Sequence, residues 1–232
     1  MKIFLTSLFL LYTLNCFSQK TFSATYDVYT HINIPEANGS NYSKTDYFAG
    51  FMKKVGNSFV VIRLPLSEKN TVSDTIRDQK NSMVNDMSTQ SDRKMISFAS
   101  LDSNYYKSVM PFSSGVNVYC GYFMPGKTKW EILPDTKIIN GLKCQKAIKY
   151  TSNKAVSAEI WFYSAINLGG IDINSLRDTP GLVVEATFLS DNTKTVWSMK
   201  EYKINPSLAE RDVWLPELNE PCRNRETSKT LY

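Results

Sequence analysis

Apolar and polar residues alternate along most of this chain with a period of two. From Val156 the sequence reads VSAEIWFYSAI. Val156, Ala158, Ile160 and Phe162 fall on one side, and Glu159, Trp161 and Tyr163 on the other. Side chains two apart share a face of a strand, so the pattern predicts a strand over Val156–Ile166. Both faces carry large apolar groups near its end, which places it inside a sheet. Leu182–Leu189 opens on Leu182, Val183 and Val184 in succession, as a strand buried on both faces does.

The same reading predicts strands at Thr21–Ile32, Tyr47–Met52, Ser58–Leu64, Met95–Leu101, Tyr105–Val109 and Val116–Met124. It continues with Trp130–Leu133, Lys137–Ile139, Leu142–Tyr150 and Thr195–Ile204. Turn signals punctuate them: Gly56-Asn57, Pro125-Gly126, Pro134-Asp135, Thr151 to Lys154 and Ser190 to Lys194. Pro65 closes the third strand. Pro35 to Ser43 reads as a polar loop, and Ser67 to Gln90 as a long mobile loop with at most one helical turn.

Asn174–Asp178 has room for one more helical turn, and no long amphipathic helix appears. Consecutive strands at short spacing predict an all-β fold: an antiparallel meander forming a curved sheet or half-barrel with few short helices. The Pro- and charge-rich tail from Pro206 reads as a surface segment.

Two glycine sites mark a corner beside the Val156–Ile166 strand. Gly169-Gly170 permits one sharp bend. Pro180-Gly181 suits the middle of a type II turn, because proline presets its φ and glycine accepts a positive one. A tight corner joining two inner strands accounts for both without a ligand.

The N-terminus changes the picture of where the chain works. Lys2 precedes an apolar run from Ile3 to Leu14, and Cys16-Phe17-Ser18 supplies small residues at the −3 and −1 positions of a cut after Ser18. This reads as a secretory signal peptide, too short for a comfortable transmembrane helix. A lipid-anchored alternative would use Cys16, but Asn15 before it fits that poorly. The expected organisation is a signal peptide over 1–18, one β-rich domain over 19–205 and a tail over 206–232. No later stretch is apolar enough to span a bilayer.

Charge and cysteines narrow the partners. The net charge is +5, with lysines scattered and no basic block, which argues against nucleic-acid binding. Cys120, Cys144 and Cys222 follow the leader, an odd number that permits one disulfide and leaves one thiol. Cys144 reads equally as a small buried hydrophobe on a strand. The pairing is open, and the absence of a CxxC argues against a zinc ribbon or a redox site.

The catalytic inventory is thin. His31 is the sole histidine and reads as a surface or edge-strand residue, with no GxSxG, HExxH, GxGxxG or P-loop in the chain. Glu159, Asp172, Asp178 and Glu185 lie in or near the corner segment, and Glu159 with Glu185 forms a conceivable carboxylate pair. No catalytic residue, metal ligand or cofactor is assigned. The 13 Tyr, 12 Phe and 4 Trp would fill a core or line an apolar cavity.

Three segments resemble the GLPGLI family of exported proteins of Bacteroidetes. Trp130 followed by Asp135-Thr136-Lys137, Ile139, Gly141 and Cys144-Gln145-Lys146-Ala147 is similar to the family's W…ETK-x-I-x-G-Y-x-C-x-K-A pattern. Trp161 to Ile166 is similar to its A-W-Y/F-T-x-E-I-P strand. Thr179-Pro180-Gly181-Leu182-Val183-Val184-Glu185 is similar to the G-L-P-G-L-I-L-E signature. The likeness covers roughly Trp130 to Leu189. Asp178-Thr179 replaces the signature's first Gly-Leu, Val183 its last Ile and Asn167 the proline of the aromatic strand, the pattern of a divergent member.

The resemblance implies an exported, β-rich envelope protein, periplasmic or outer-membrane associated, and supplies no active site. A LolA/LolB-like sheet is the fold expected by analogy. The motif residues Trp130, Cys144, Trp161, Tyr163, Pro180, Gly181 and Leu182 are the candidate site. Three functions compete: a non-enzymatic module for an apolar or lipid-like ligand, an accessory protein contacting an envelope partner through Ser67–Gln90 or the tail, and a hydrolase using Glu159 and Glu185.

Overall fold

The Thr-, Tyr- and Val-rich run after Thr21 forms one long strand, β1 (Phe22–Pro35), and hairpins build outward from it in both chain directions. The computed structural model describes residues 21–35, 41–66, 71–73, 94–112, 115–122, 129–166 and 179–222. After β1 come β2 (Asn41–Val55), β3 (Ser58–Pro65), β4 (Thr71–Ser73), β5 (Met95–Ser100), β6 (Tyr105–Phe112) and β7 (Gly115–Tyr122). Then follow β8 (Glu131–Ile139), β9 (Leu142–Tyr150), β10 (Val156–Tyr163), β11 (Leu182–Ser190) and β12 (Thr193–Ile204).

All pair antiparallel in one sheet of order β7-β6-β5-β3-β2-β1-β12-β11-β10-β9-β8, with β4 added beside β2. Two meanders meet where β1 pairs β12, from Phe22↔Ile204 to Ile32↔Thr193. The consecutive strands β7 and β8 take the two opposite edges, so the sheet is open.

Several boundaries differ from the sequence reading. Pro134-Asp135 is not a turn between two strands. It lies inside β8, where the pairing with β9 slips between Ile132 and Thr136. Proline lacks the N–H that a ladder needs, and an edge-strand bulge is where a sheet tolerates it. The loop expected from Pro35 is shorter, because β1 and β2 pair out to Pro35↔Asn41. Within the expected loop after Ser67, Thr71–Ser73 pairs with Ser43 to Thr45; 67–70 and 74–93 lie outside the described residues. So do Gly169-Gly170, Asn174–Asp178, Pro125-Gly126 and the leader.

The sheet bends over one face. Asn140 in the β8–β9 turn donates its Nδ2 to the Met199 carbonyl on β12, at 2.5 Å. Three strand positions separate β9 from β12, roughly 14 Å along a flat sheet. The contact therefore requires strong curvature. Asn140 and Gly141 both hold positive φ, 50° and 77°, the mark of the tight two-residue hairpin turn.

The inner face carries the main core: Phe22, Tyr26, Phe48, Met52, Phe59 and Val61 from one meander with Ile160, Phe162 and Trp197 from the other. Each of these, fully buried, contributes on the order of 1.5–3 kcal/mol of apolar transfer. Gly50 makes room for the Trp197 indole, since a β-carbon there would stand 2.7 Å from its ring. Tyr26 also donates its hydroxyl to the Val183 carbonyl at 3.2 Å.

A second apolar cluster occupies the outer face of β3, β5, β6 and β7: Val60, Ile96, Phe98, Val109 and Val118. The tail covers it. Two short 3-10 turns, Glu210–Asp212 and Pro216–Asn219, bring Val213 and Leu218 into this cluster, both buried. Trp214 meets Phe98 edge-on at 4.9 Å, Lys107 donates to the Glu220 carbonyl at 2.7 Å, and Lys94 pairs with Glu217 at 2.6 Å. A Cys120–Cys222 disulfide fastens the end. The segment expected on the surface is thus part of the packing up to Cys222. Its apolar anchors are spaced too irregularly to register as a strand or helix pattern.

Candidate functional site

The corner of β9, β10 and β11 gathers most of the motif residues. β10 and β11 pair from Ala158↔Phe188 to Tyr163↔Leu182, with a slip between Trp161 and Phe162. Chain entry into β11 is fixed by the Leu182 N–H, which donates to the Ile166 carbonyl at 2.8 Å. Leu182 is buried and Pro180 half-buried beside buried Thr179.

Gly181 does not take the positive φ of a type II turn, since Gly56 and Gly141 alone among the described glycines do. Its lack of a β-carbon serves a different need. A β-carbon there would stand 2.5 Å from the Tyr163 carbonyl oxygen and 3.0 Å from the Ser164 α-carbon. Glycine is present because two backbones nearly touch.

Trp161 sits half-buried, with Lys146 and Glu185 as its register partners on β9 and β11. The Lys137 Nζ lies 4.5 Å from the indole centroid and the Lys146 Nζ 5.8 Å. Lys137 pairs with Glu185 at 2.6 Å, and Lys146 with Glu159 at 3.0 Å. Glu159 and Glu185 do share a face. Each carboxylate, however, is occupied by a lysine ammonium, so the arrangement is two ion pairs flanking an indole rather than two facing acids.

Cys144 is buried on β9 as a free thiol and donates to the Leu142 carbonyl at 3.5 Å. Burial pushes its pKa up, the nearby Glu185 carboxylate adds to that, and Lys137 works against it. A protonated, enclosed thiol is a packing group rather than a nucleophile. Tyr163 and Trp130 pack half-buried against the inner core. The Trp130 Nε1 is buried without an acceptor among the described residues. Tyr163, Gly181 and Leu182 meet at the corner itself, while Trp130 stands at the start of the edge strand β8.

His31 is not on an edge. β1 is central, and His31 faces outward beside Tyr29, Thr45, Tyr47 and Lys194 around a depression of about 350 Å³. Its Nδ1 lies 3.0 Å from the Thr45 hydroxyl, and Tyr29 and Tyr47 stand 6.3 Å apart.

A polar feature of the inner face lies away from the motifs. On β3, Phe59, Val61 and Arg63 share a face. The Arg63 guanidinium stands 5.9 Å from the Phe48 ring centroid and donates from Nη2 to the Met95 sulfur at 3.3 Å. Desolvation brings its pKa down to about 10. On β2, Lys44 and Asp46 make a buried ion pair at 2.9 Å on the same face as Phe48. In the sequence Arg63 follows the apolar run Phe59 to Ile62, and a charge at a strand end is common enough to carry no signal of its own.

Among the described residues, no group of His, Cys, Asp and Glu could hold a metal ion, and no helix is long and apolar enough to cross a membrane. No family model matches the chain, and no curated protein does. Solved structures similar to it include PNGF-II, at TM-score 0.42 and 13% identity over 84% of this chain. The chain spans 29% of the length of PNGF-II. A domain assigned to outer membrane lipoprotein sorting from Vibrio parahaemolyticus aligns at TM-score 0.31 and 11% identity, covering 83% of this chain and 88% of that one. A DUF1329 family protein from Desulfovibrio piger aligns at TM-score 0.25 and 8% identity, covering 90% and 95%.

Proposed function

We propose that this protein is an exported, non-enzymatic binding module that holds an apolar or lipid-like ligand on the inner face of its bent sheet. The observation that carries the reading is the bend itself. The Asn140–Met199 contact curls β8 and β9 toward β12 over a face whose aromatic residues Phe48, Phe59, Phe162 and Trp197 are packed in the core. A long single sheet curled around an aromatic face is an architecture that encloses apolar ligands. Export fits the leader-like N-terminus and the Cys120–Cys222 disulfide, which persists in oxidising compartments. The three motif segments support membership of the GLPGLI family as a divergent member.

Native mass spectrometry of the mature protein, purified without detergent, tests the reading. The expected result is a population heavier by one lipid-sized mass that organic extraction removes. A single apo mass, together with no change in tryptophan emission on adding long-chain amphiphiles, would overturn it.

A further inference from the structure

The outer face of the central strands, opposite the packed core, carries a depression built in two rows. β2, β1 and β12 lie side by side there. His31 pairs in register with Thr45 on β2 and with Lys194 on β12, so these three side chains form one row across the sheet. Tyr29 and Tyr47 are register partners and form the next row. Two residues along a strand separate the rows, about 7 Å. The five side chains line the depression of about 350 Å³.

The two rows differ in chemistry. The tyrosines offer ring surface, with centroids 6.3 Å apart and planes tilted by 45°. The other row is polar. The His31 Nδ1 lies 3.0 Å from the Thr45 hydroxyl, which fixes the imidazole across the β1–β2 pair. Lys194 brings a positive charge, and among the described residues no carboxylate lines the depression. Tyrosine and threonine hydroxyls and an imidazole can each donate and accept, which suits a ligand rich in hydroxyls. An electron-rich ring face takes the weakly positive C–H side of a sugar ring. An ammonium at the edge favours a negative charge on that ligand. A plain hydrocarbon would instead cover these polar groups without bonding them.

We propose that this depression is a second binding site, separate from the inner face, for an acidic saccharide: a sugar ring carrying one negative charge as a carboxylate or a sulfate. The ring packs over Tyr29 and Tyr47. Thr45 and His31 hydrogen-bond its hydroxyls, and Lys194 meets its charge.

Nuclear magnetic resonance titration of the purified, untagged protein tests this. His31 is the sole histidine, so its imidazole C–H signals report this site alone. Two pairs of probes are added at low salt: trigalacturonic acid against its methyl triester, and galactose 6-sulfate against galactose. The acid of at least one pair is expected to shift the His31 signals saturably and to bind about threefold to tenfold more tightly than its neutral counterpart. That is the range of one partly exposed charge pair, and it shrinks with added salt. Lys194→Gln, at an exposed position, is expected to bring the acid to the affinity of the neutral probe. Tyr47→Leu is expected to weaken both members of the pair together.

Equal affinities within both pairs, or His31 signals that none of the four probes moves, would overturn the proposal. Retention of the acid preference by Lys194→Gln, or undiminished binding by a folded Tyr47→Leu variant, would overturn it as well. The comparison within each pair needs no variant, so a misfolded substitution does not remove the test. None of these outcomes bears on the inner face, which the native mass measurement tests by itself.

Discussion

Gly181 lies so close to Tyr163 that a β-carbon on it would stand 2.5 Å from the Tyr163 carbonyl oxygen. The opposing atom is backbone at the end of β10 and cannot rotate away. Gly181→Ala must therefore part β10 from the entry of β11 and weaken the Leu182–Ile166 hydrogen bond. The expected loss is about 2–3 kcal/mol, the upper part of the range for overpacking. Gly141→Ala is the contrast. It meets open space and suffers from its φ of 77°, so a loss of roughly 1 kcal/mol is expected. Urea denaturation of both variants checks the order; an equal or smaller loss at Gly181 would contradict the close approach.

The disulfide makes a separate claim about the tail. Cys120 and Cys222 are 102 residues apart in sequence, and the bond holds Val213 and Leu218 against the outer face of β3, β5, β6 and β7. Cys222→Ser is expected to lower stability by about 3–5 kcal/mol, as closing a loop of this length implies. Limited proteolysis should then cut within 206–222 before it cuts the sheet. A tail equally protected after the substitution would show that packing alone suffices.

The Trp161 cluster should be energetically modest. Lys137 touches both the Trp161 ring and Glu185, with the ion pair partly exposed. A double-mutant cycle of Lys137→Met and Trp161→Leu is expected to give a coupling of about 0.5–1 kcal/mol that shrinks with added salt. A coupling several times larger would mean that the cluster is more than a solvated rim.

What the sequence made legible follows from which forces act locally. Alternation at Ala158, Ile160 and Phe162 shows the strand because burial on one face dictates every second residue. The hairpin meander follows from turn chemistry between neighbouring strands. The meeting of β1 with β12 is a contact between distant parts of the chain and leaves no local trace. The Cys120–Cys222 pairing depends on the tail's path, which rests on a few scattered apolar residues. Pro134 misled because proline favours a turn and an edge bulge alike. Gly181 was expected to serve a type II turn, but its reason is proximity to another strand, which the residues around it cannot encode. The neighbours of Arg63, Met95 and Phe48, come from other strands and are not encoded beside it.

Cys144 supplies a pH prediction with a defined sign. Its thiol pKa is raised in the folded protein by burial and by Glu185, with Lys137 opposing. A raised value means that the folded state binds the proton more tightly than the unfolded chain. Stability from this residue is therefore fully present below the unfolded thiol value, about 8.5. It declines as the pH rises from there through the folded value. Cys144→Ala removes the titration, and its stability curve should stay flatter above about pH 8.5 than that of the unmodified protein. The difference between the two curves isolates the thiol from Tyr105, whose pKa burial and Tyr122 also push up. Reaction with a thiol reagent at neutral pH gives an independent check. The native protein should react slowly, and the denatured, unreduced protein should release the equivalent of the Cys144 thiol. Rapid native labelling would place Cys144 in contact with solvent and contradict its role as a core residue.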